Sequence, residues 1–215
     1  MSKPSVILVV SPHPDDLEIG MGGTVARFSA TGTRVISLVL TDGRRSPRSF
    51  SCSDAQMAII RKAEVEAAAA LLGINDLFTL GLADLRSEEN QQQAITQFLA
   101  LIERLHPDEI YLPHPKLDRH DSHRIGAQIC LSALKSPYAR LWAYEVWGLF
   151  SNWDRIEDIS DYIERKQAAI ECHRSQVSDV DYSAGVLGLN RWRAVFTDPH
   201  QIPSYRYVEA FLRLD

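Results

Sequence analysis

The chain has 215 residues, 45% of them hydrophobic, with 28 acidic against 23 basic side chains and a formal net charge of −5. That suits one globular domain with a full core, and the acidic balance excludes generic nucleic-acid binding, because no basic stripe is available to displace counterions. Cys52, Cys130 and Cys172 are odd in number and widely spaced, the pattern of a reducing compartment rather than a disulfide framework.

The apolar run Val6 to Val10 is too short for a signal-peptide core or a membrane span, so the expected location is the cytoplasm and no membrane partner is expected. Its length and β-branched content are those of a buried strand. The polar stretch that follows, Ser11 to Glu18, crowds His13, Asp15, Asp16 and Glu18 together at a strand-to-helix junction. In an open parallel sheet such junctions bind ligands. Like charges so close gain from a cation, and His13 and Asp16, at i and i+3, offer a nitrogen and an oxygen to a divalent transition metal. Asp15, between them, need not ligate. Pro14 stiffens the turn by restricting both itself and His13.

After Gly20, Gly22 and Gly23, a short helix is expected to begin at Thr24, Val25, Ala26 and Phe28 and to stop at Gly32. Val35 to Leu40 forms a second strand, completing a right-handed βαβ unit that ends in Thr41-Asp42-Gly43. Arg44, Arg45 and Arg48 make a small basic knot placed to line a site for a polar or anionic substrate, although at least two are expected to be solvated loop charges. Ser53 and Gln56 have capping-box spacing, and Ala55 to Leu72 is the clearest helix. Arg61 and Glu64, one turn apart on it, read as an exposed ion pair.

Leu77 to Leu80 gives a third strand with Asp84 just beyond it, and Ile95, Phe98, Leu99, Ile102 and Leu105 mark a one-sided helix ending at His106-Pro107. Glu109 to Leu112 is a fourth strand. It runs into a second polar cluster containing His114, Asp118, His120, Asp121 and His123, ahead of a helix from about Arg124 to Leu134. His120 and His123 are i and i+3, so one can ligate while the other faces the same cavity. Leu141 to Val146 reads as a strand and Asp161 to His173 as a helix; the chain after Ser175-Gln176 reads as irregular until Tyr205 to Leu212, a strand or short helix. Trp192 and Tyr207 are expected to pack rather than to stack on substrate. No repeat or linker divides residues 1–215.

Together, Pro-His-Pro-Asp-Asp after the first strand and His-x-x-His after a later one resemble the LmbE-like, or PIG-L, family of metal-dependent de-N-acetylases. The resemblance extends to Thr41-Asp42-Gly43, Arg61, Glu64, Gly81-Leu82 with Asp84, Tyr144 to Trp147, and Lys166 through Ser175-Gln176. It implies a single-domain, Rossmann-like α/β fold, a mostly parallel sheet with helices on both faces. It further implies a metal, Zn²⁺ with Fe²⁺ equally suited to the ligands, on His13, Asp16 and His123. Asp15 would be the general base and His120 an acid or oxyanion partner. The implied substrate is an N-acetylglucosamine-type amino sugar or its conjugate, with Arg61 and Asp84 toward it and Arg44 and Arg45 as further candidates. A homo-oligomer is a family expectation.

One position departs from the family: Ser122 stands where an Asp commonly precedes the second His. The carboxylate that orients His120 is then Asp118 or Asp121. Two other readings compete. A dinucleotide-binding domain built on Gly20, Gly22 and Asp42 fails at Val25, where a glycine is required, and would set a pyrophosphate against three carboxylates. A catalytically silent sugar- or nucleotide-binding module on the same fold is opposed by the intact His13, Asp15, Asp16 and His123.

Overall fold

The computed structural model describes residues 4–74, 76–134, 139–197 and 204–214. In chain order the elements are β1 (Val6–Ser11), α1 (Asp16–Ala30), β2 (Arg34–Thr41), α2 (Asp54–Leu72), β3 (Asp76–Leu82), α3 (Glu88–Leu105), β4 (Glu109–Pro113) and α4 (Asp121–Ala133). They continue with β5 (Arg140–Tyr144), β6 (Arg155–Asp158), α5 (Ile163–Glu171), α6 (Arg174–Val177), α7 (Tyr182–Val195) and β7 (Val208–Arg213). One seven-stranded sheet, in the order β3-β2-β1-β4-β5-β7-β6, runs through the described residues. β1 to β5 are parallel, and β7 is antiparallel to both its neighbours.

Both faces of the sheet are covered. Leu8 and Val10 of β1 point into a core shared with Phe98 of α3 and Cys130 of α4, while Ile7 and Val9 point into one shared with Val25 of α1 and Ala68 of α2. Burial on two faces is why β1 and β2 read as continuous apolar runs rather than alternating ones. Among the described residues, no helix is long and apolar enough to cross a membrane.

The sheet order places the site. β1 connects outward to β2 and β3, whereas its other neighbour, β4, begins the opposite half. The chain therefore switches direction between β1 and β4, which opens a crevice at their carboxyl ends. The two histidine-bearing loops follow these two strands.

Several expectations are corrected. α1 begins at Asp16, not after the glycines, and passes through them with a break at Met21, whose φ of −147° is not helical. Gly20 sits inside this helix because a Cβ there would lie 2.3 Å from the Tyr144 ring; that close approach outweighs the roughly 1 kcal/mol helix penalty of glycine. The supposedly irregular stretch after Gln176 contains α7, capped by Asp181 accepting from the Ala184 N–H at 2.9 Å. Gly185 and Gly188 dilute its pattern. The four-residue β6 gave no sequence signal, being short and polar. Trp192 is a half-exposed surface residue against Phe196, with ring centroids 4.9 Å apart.

Candidate active site

The first loop is pinned at its base, where Pro12 O accepts from the Thr41 N–H at 2.9 Å and its hydroxyl at 2.8 Å, tying the end of β1 to the end of β2. Asp16 Oδ2 then accepts the His13 backbone N–H at 2.7 Å. Asp15 occupies the N-cap of α1 with φ 109° and makes no side-chain cap bond. A positive φ at a non-glycine residue is strained, and here it leaves the carboxylate on the cavity wall.

The second loop brings in His120 and His123. His123, at the first turn of α4, is fully buried, and its Nε2 lies 3.0 Å from His13 Nδ1 and 3.1 Å from Asp16 Oδ1. His13 Nδ1 is 3.3 Å from Asp16 Oδ2. One ring nitrogen each from His13, His120 and His123 falls within 4.8 Å of the others. Behind His123, Asp118 Oδ2 approaches Nδ1 at 3.1 Å, although off the N–H direction.

This arrangement fits a divalent cation. Neighbouring ligands of a tetrahedral centre with bonds of about 2.0 Å stand about 3.3 Å apart, close to the separations here. Without an ion the cluster demands positive charge: burial opposes protonation of His123, yet Asp16 and Asp118 outweigh it and lift its pKa to about 10. Burial likewise opposes ionisation of Asp16, but His123 and His13 hold its carboxyl far below the usual range. Imidazole and carboxylate donors suit zinc and ferrous iron alike.

Asp15 differs. Burial raises its pKa, only partly offset by the Arg61 guanidinium, whose Nη2 is 3.2 Å from its Oδ2. His120 moves the other way, lowered by burial and then by His13 and His123.

The cavity has a volume of about 300 Å³, enough for a sugar-sized ligand. It is lined by His13, Asp15, Asp16 and His120, by the charged Arg45, Arg61, Asp84 and Arg86, and by Trp147, Gln176 and Tyr182. Arg61 and Glu64 are buried, at 1% and 9% exposure, so the exposed ion pair is overturned. Arg61 donates instead to Pro14 O, and Glu64 accepts from Ser175. The basic knot divides: Arg45 pairs with Asp84 at 2.7 Å on the wall, Arg48 donates to loop carbonyls and Asp54, and Arg44 is held by Asp42 and does not line the cavity.

No carboxylate of the described residues hydrogen-bonds the His120 ring. Asp121 turns outward to Arg124, while Asp118 accepts the His120 backbone N–H at 2.8 Å and the Trp147 N–H at 3.2 Å. Asp118 therefore holds the loop and His123 rather than the His120 imidazole. Trp147, Gln176 and Tyr182 were not singled out as cavity residues. Gln176 lay within the motifs of the family resemblance, whereas Tyr182 carried no signal.

The model of the PIG-L family, described as GlcNAc-PI de-N-acetylase, matches residues 8–134. The diacetylchitobiose deacetylase of Thermococcus kodakarensis is 27% identical over 191 residues, 79% of this chain and 69% of its own. A probable N-acetyl-alpha-D-glucosaminyl L-malate deacetylase of Bacillus cereus is 27% identical over 182 residues, 79% of this chain and 83% of its own. The inhibitor-bound structure of N,N′-diacetylchitobiose deacetylase from Pyrococcus horikoshii superposes with a TM-score of 0.81 at 26% identity, covering 98% of this chain and 84% of that one. A 4-carboxy-2-hydroxymuconate hydratase from Pseudomonas putida reaches a TM-score of 0.82 at 19% identity, over 98% and 96% of the two chains, a likeness of fold alone. With its two histidine loops at the switch point and more than half its length matched, the chain belongs to the PIG-L family of GlcNAc-PI de-N-acetylases.

Proposed function

We propose that this protein is a metal-dependent amide hydrolase that removes the N-acetyl group from an N-acetylglucosamine-type amino sugar or its conjugate. One observation carries the reading: His13, Asp16 and His123 converge within 3.0 to 3.3 Å beside Asp15 on a sugar-sized cavity. The fold alone is no argument, since a hydratase shares it. The named activities of the deacetylase relatives support the choice of reaction.

His13, Asp16 and His123 would hold the ion, zinc or ferrous iron. When bound, it supplies Lewis acidity and lowers the pKa of water toward neutrality. Asp15, on the cavity wall with its pKa raised by burial, takes the proton of the water that attacks the acetamide carbonyl. His120, whose pKa is lowered by burial and then by His13 and His123, donates a hydrogen bond to the oxyanion. The C–N bond then breaks, Asp15 returns to the departing amine the proton it took from water, and acetate and a free amino sugar leave. Arg61, Arg45 and Asp84 face the sugar; Arg44 acts only through the loop it shares with Asp42. The three free thiols suit the cytoplasm.

Metal content of purified protein tests the ligand set. Wild type should carry near-stoichiometric metal, His13→Ala should lose it, and His120→Ala should keep it. Loss in His120→Ala would make that residue a ligand, and no binding of Zn²⁺ or Fe²⁺ by wild type would remove the hydrolase reading.

A further inference from the structure

Glu64 is buried with both carboxylate oxygens committed to one residue. Its Oε1 accepts the Ser175 backbone N–H and its Oε2 the Ser175 hydroxyl, each at 2.7 Å. A carboxylate only accepts, so the single hydroxyl hydrogen of Ser175 is used on Glu64. What remains on Ser175 Oγ is lone pairs, and Gln176 Nε2 donates to them at 3.0 Å.

The two ends of an amide are nearly alike in shape and are told apart by their partners. Here the direction of the chain decides: Ser175 can accept from Gln176 but cannot donate to it. Gln176 is 8% exposed, on the cavity wall with Asp15, Arg61 and Tyr182. Among the described residues nothing donates to its Oε1.

We infer that Glu64 is a positioning residue that, through Ser175, fixes the polarity of the Gln176 amide, so that the cavity presents an acceptor to a hydrogen-bond donor of the bound sugar. That donor is a hydroxyl or the acetamide N–H. The nature of the ligand rests on the de-N-acetylase reading; the direction of the chain does not.

Glu64→Gln is nearly isosteric and reverses the relay. Its oxygen must still accept the Ser175 N–H, so its NH₂ faces Ser175 Oγ, Ser175 turns its hydrogen toward Gln176, and the Gln176 amide flips its NH₂ into the cavity. In ¹⁵N-labelled wild type, the Gln176 side-chain amide protons should show NOEs to the Ser175 β protons, and Glu64→Gln should lose them. NOEs unchanged in the variant, or missing from wild type, would overturn the relay whatever the protein's activity.

The second arm uses an N-acetylglucosamine conjugate that wild type turns over. Glu64→Gln and Gln176→Ala should each raise KM about tenfold, the worth of one hydrogen bond, with kcat unchanged. The double variant should be no worse than either single, because both act through one contact. Losses that multiply, or that fall on kcat alone, would overturn the assignment. Ser175→Ala cuts the link while keeping the Glu64 charge and should give the same KM shift, which covers failure of Glu64→Gln to fold. Deoxy and N-methylacetamide analogues identify the donor as the group whose removal abolishes the Gln176→Ala effect; if none does, the contact is refuted. If wild type releases no acetate from any such conjugate, the de-N-acetylase reading falls, and the NOE arm still decides the relay.

Discussion

Both ends of the sheet bury charge, but the unpaired atoms gather at one of them. At the amino end, Glu109 is 1% exposed, accepts from Arg155 Nη1 at 3.1 Å through both oxygens, accepts the Tyr111 hydroxyl and pairs with Arg140 at 3.0 Å. Arg155 also reaches Glu157 at 2.6 Å and lies over the Trp142 ring at 4.9 Å. Arg140 Nε is the one atom of these charged side chains that is buried without a hydrogen-bond partner. At the carboxyl end, Arg61 Nε and Nη1, His123 Nδ1 and His173 Nδ1 are buried without one, and Glu18 Oε2 and His173 Nε2 face each other only as a loose pair at 3.6 Å. A self-satisfied cluster holds a fold together; buried polar atoms left unpaired, with Arg61 among them on the cavity lining, mark where a ligand belongs.

The contrast predicts that variants at the two ends fail differently. Asp15→Asn should lower turnover about 10³-fold by removing the base, while metal content and thermal midpoint stay near wild type. Turnover within tenfold of wild type would remove Asp15 from that role. Glu109→Ala does the reverse: it strands two arginines and should cost about 3 kcal/mol in chemical denaturation, with kcat per folded molecule unchanged. A comparable fall in kcat would mean the two ends are coupled.

Gly148→Ala probes the tie between the second loop and the turn after β5. A Cβ there would stand 2.4 Å from Leu117 O and 2.6 Å from Asp118 Cα, so the backbone carrying His120 must shift. Activity should fall about tenfold, alongside a stability loss of about 1–2 kcal/mol; unchanged activity would show that the loop tolerates displacement. The smallest effects belong to Arg44→Ala and Asp121→Ala, whose partners Asp42 and Arg124 lie outside the cavity lining. Both should leave KM and the thermal midpoint close to wild type, and a large rise in KM for Arg44→Ala would return it to the substrate.

The parallel sheet was legible because β1, β2 and β4 are buried on both faces and written in apolar residues, and the Ser53–Gln56 capping box forms as its spacing predicts. The two histidine loops were legible because clustered like charges at strand ends are costly without a cation. Arg61 and Glu64 misled because spacing along a helix reports neighbours on that helix, not what packs over it; α6 does, through Ser175. The start of α1 was hidden by glycines retained for contact with Tyr144 and Ile159. Tyr182 was invisible because α7 brings it to the cavity from far along the chain.

The most direct measurement is acetate and free amine released from an N-acetylglucosamine conjugate by chelator-stripped protein, before and after reloading with Zn²⁺ or Fe²⁺. The two products should appear in equal amounts and only after reloading, and Asp15→Asn, although it binds the metal, should release both about 10³-fold more slowly. Metal-loaded wild type that releases no acetate across a panel of such conjugates, or equal turnover with and without metal, would contradict it.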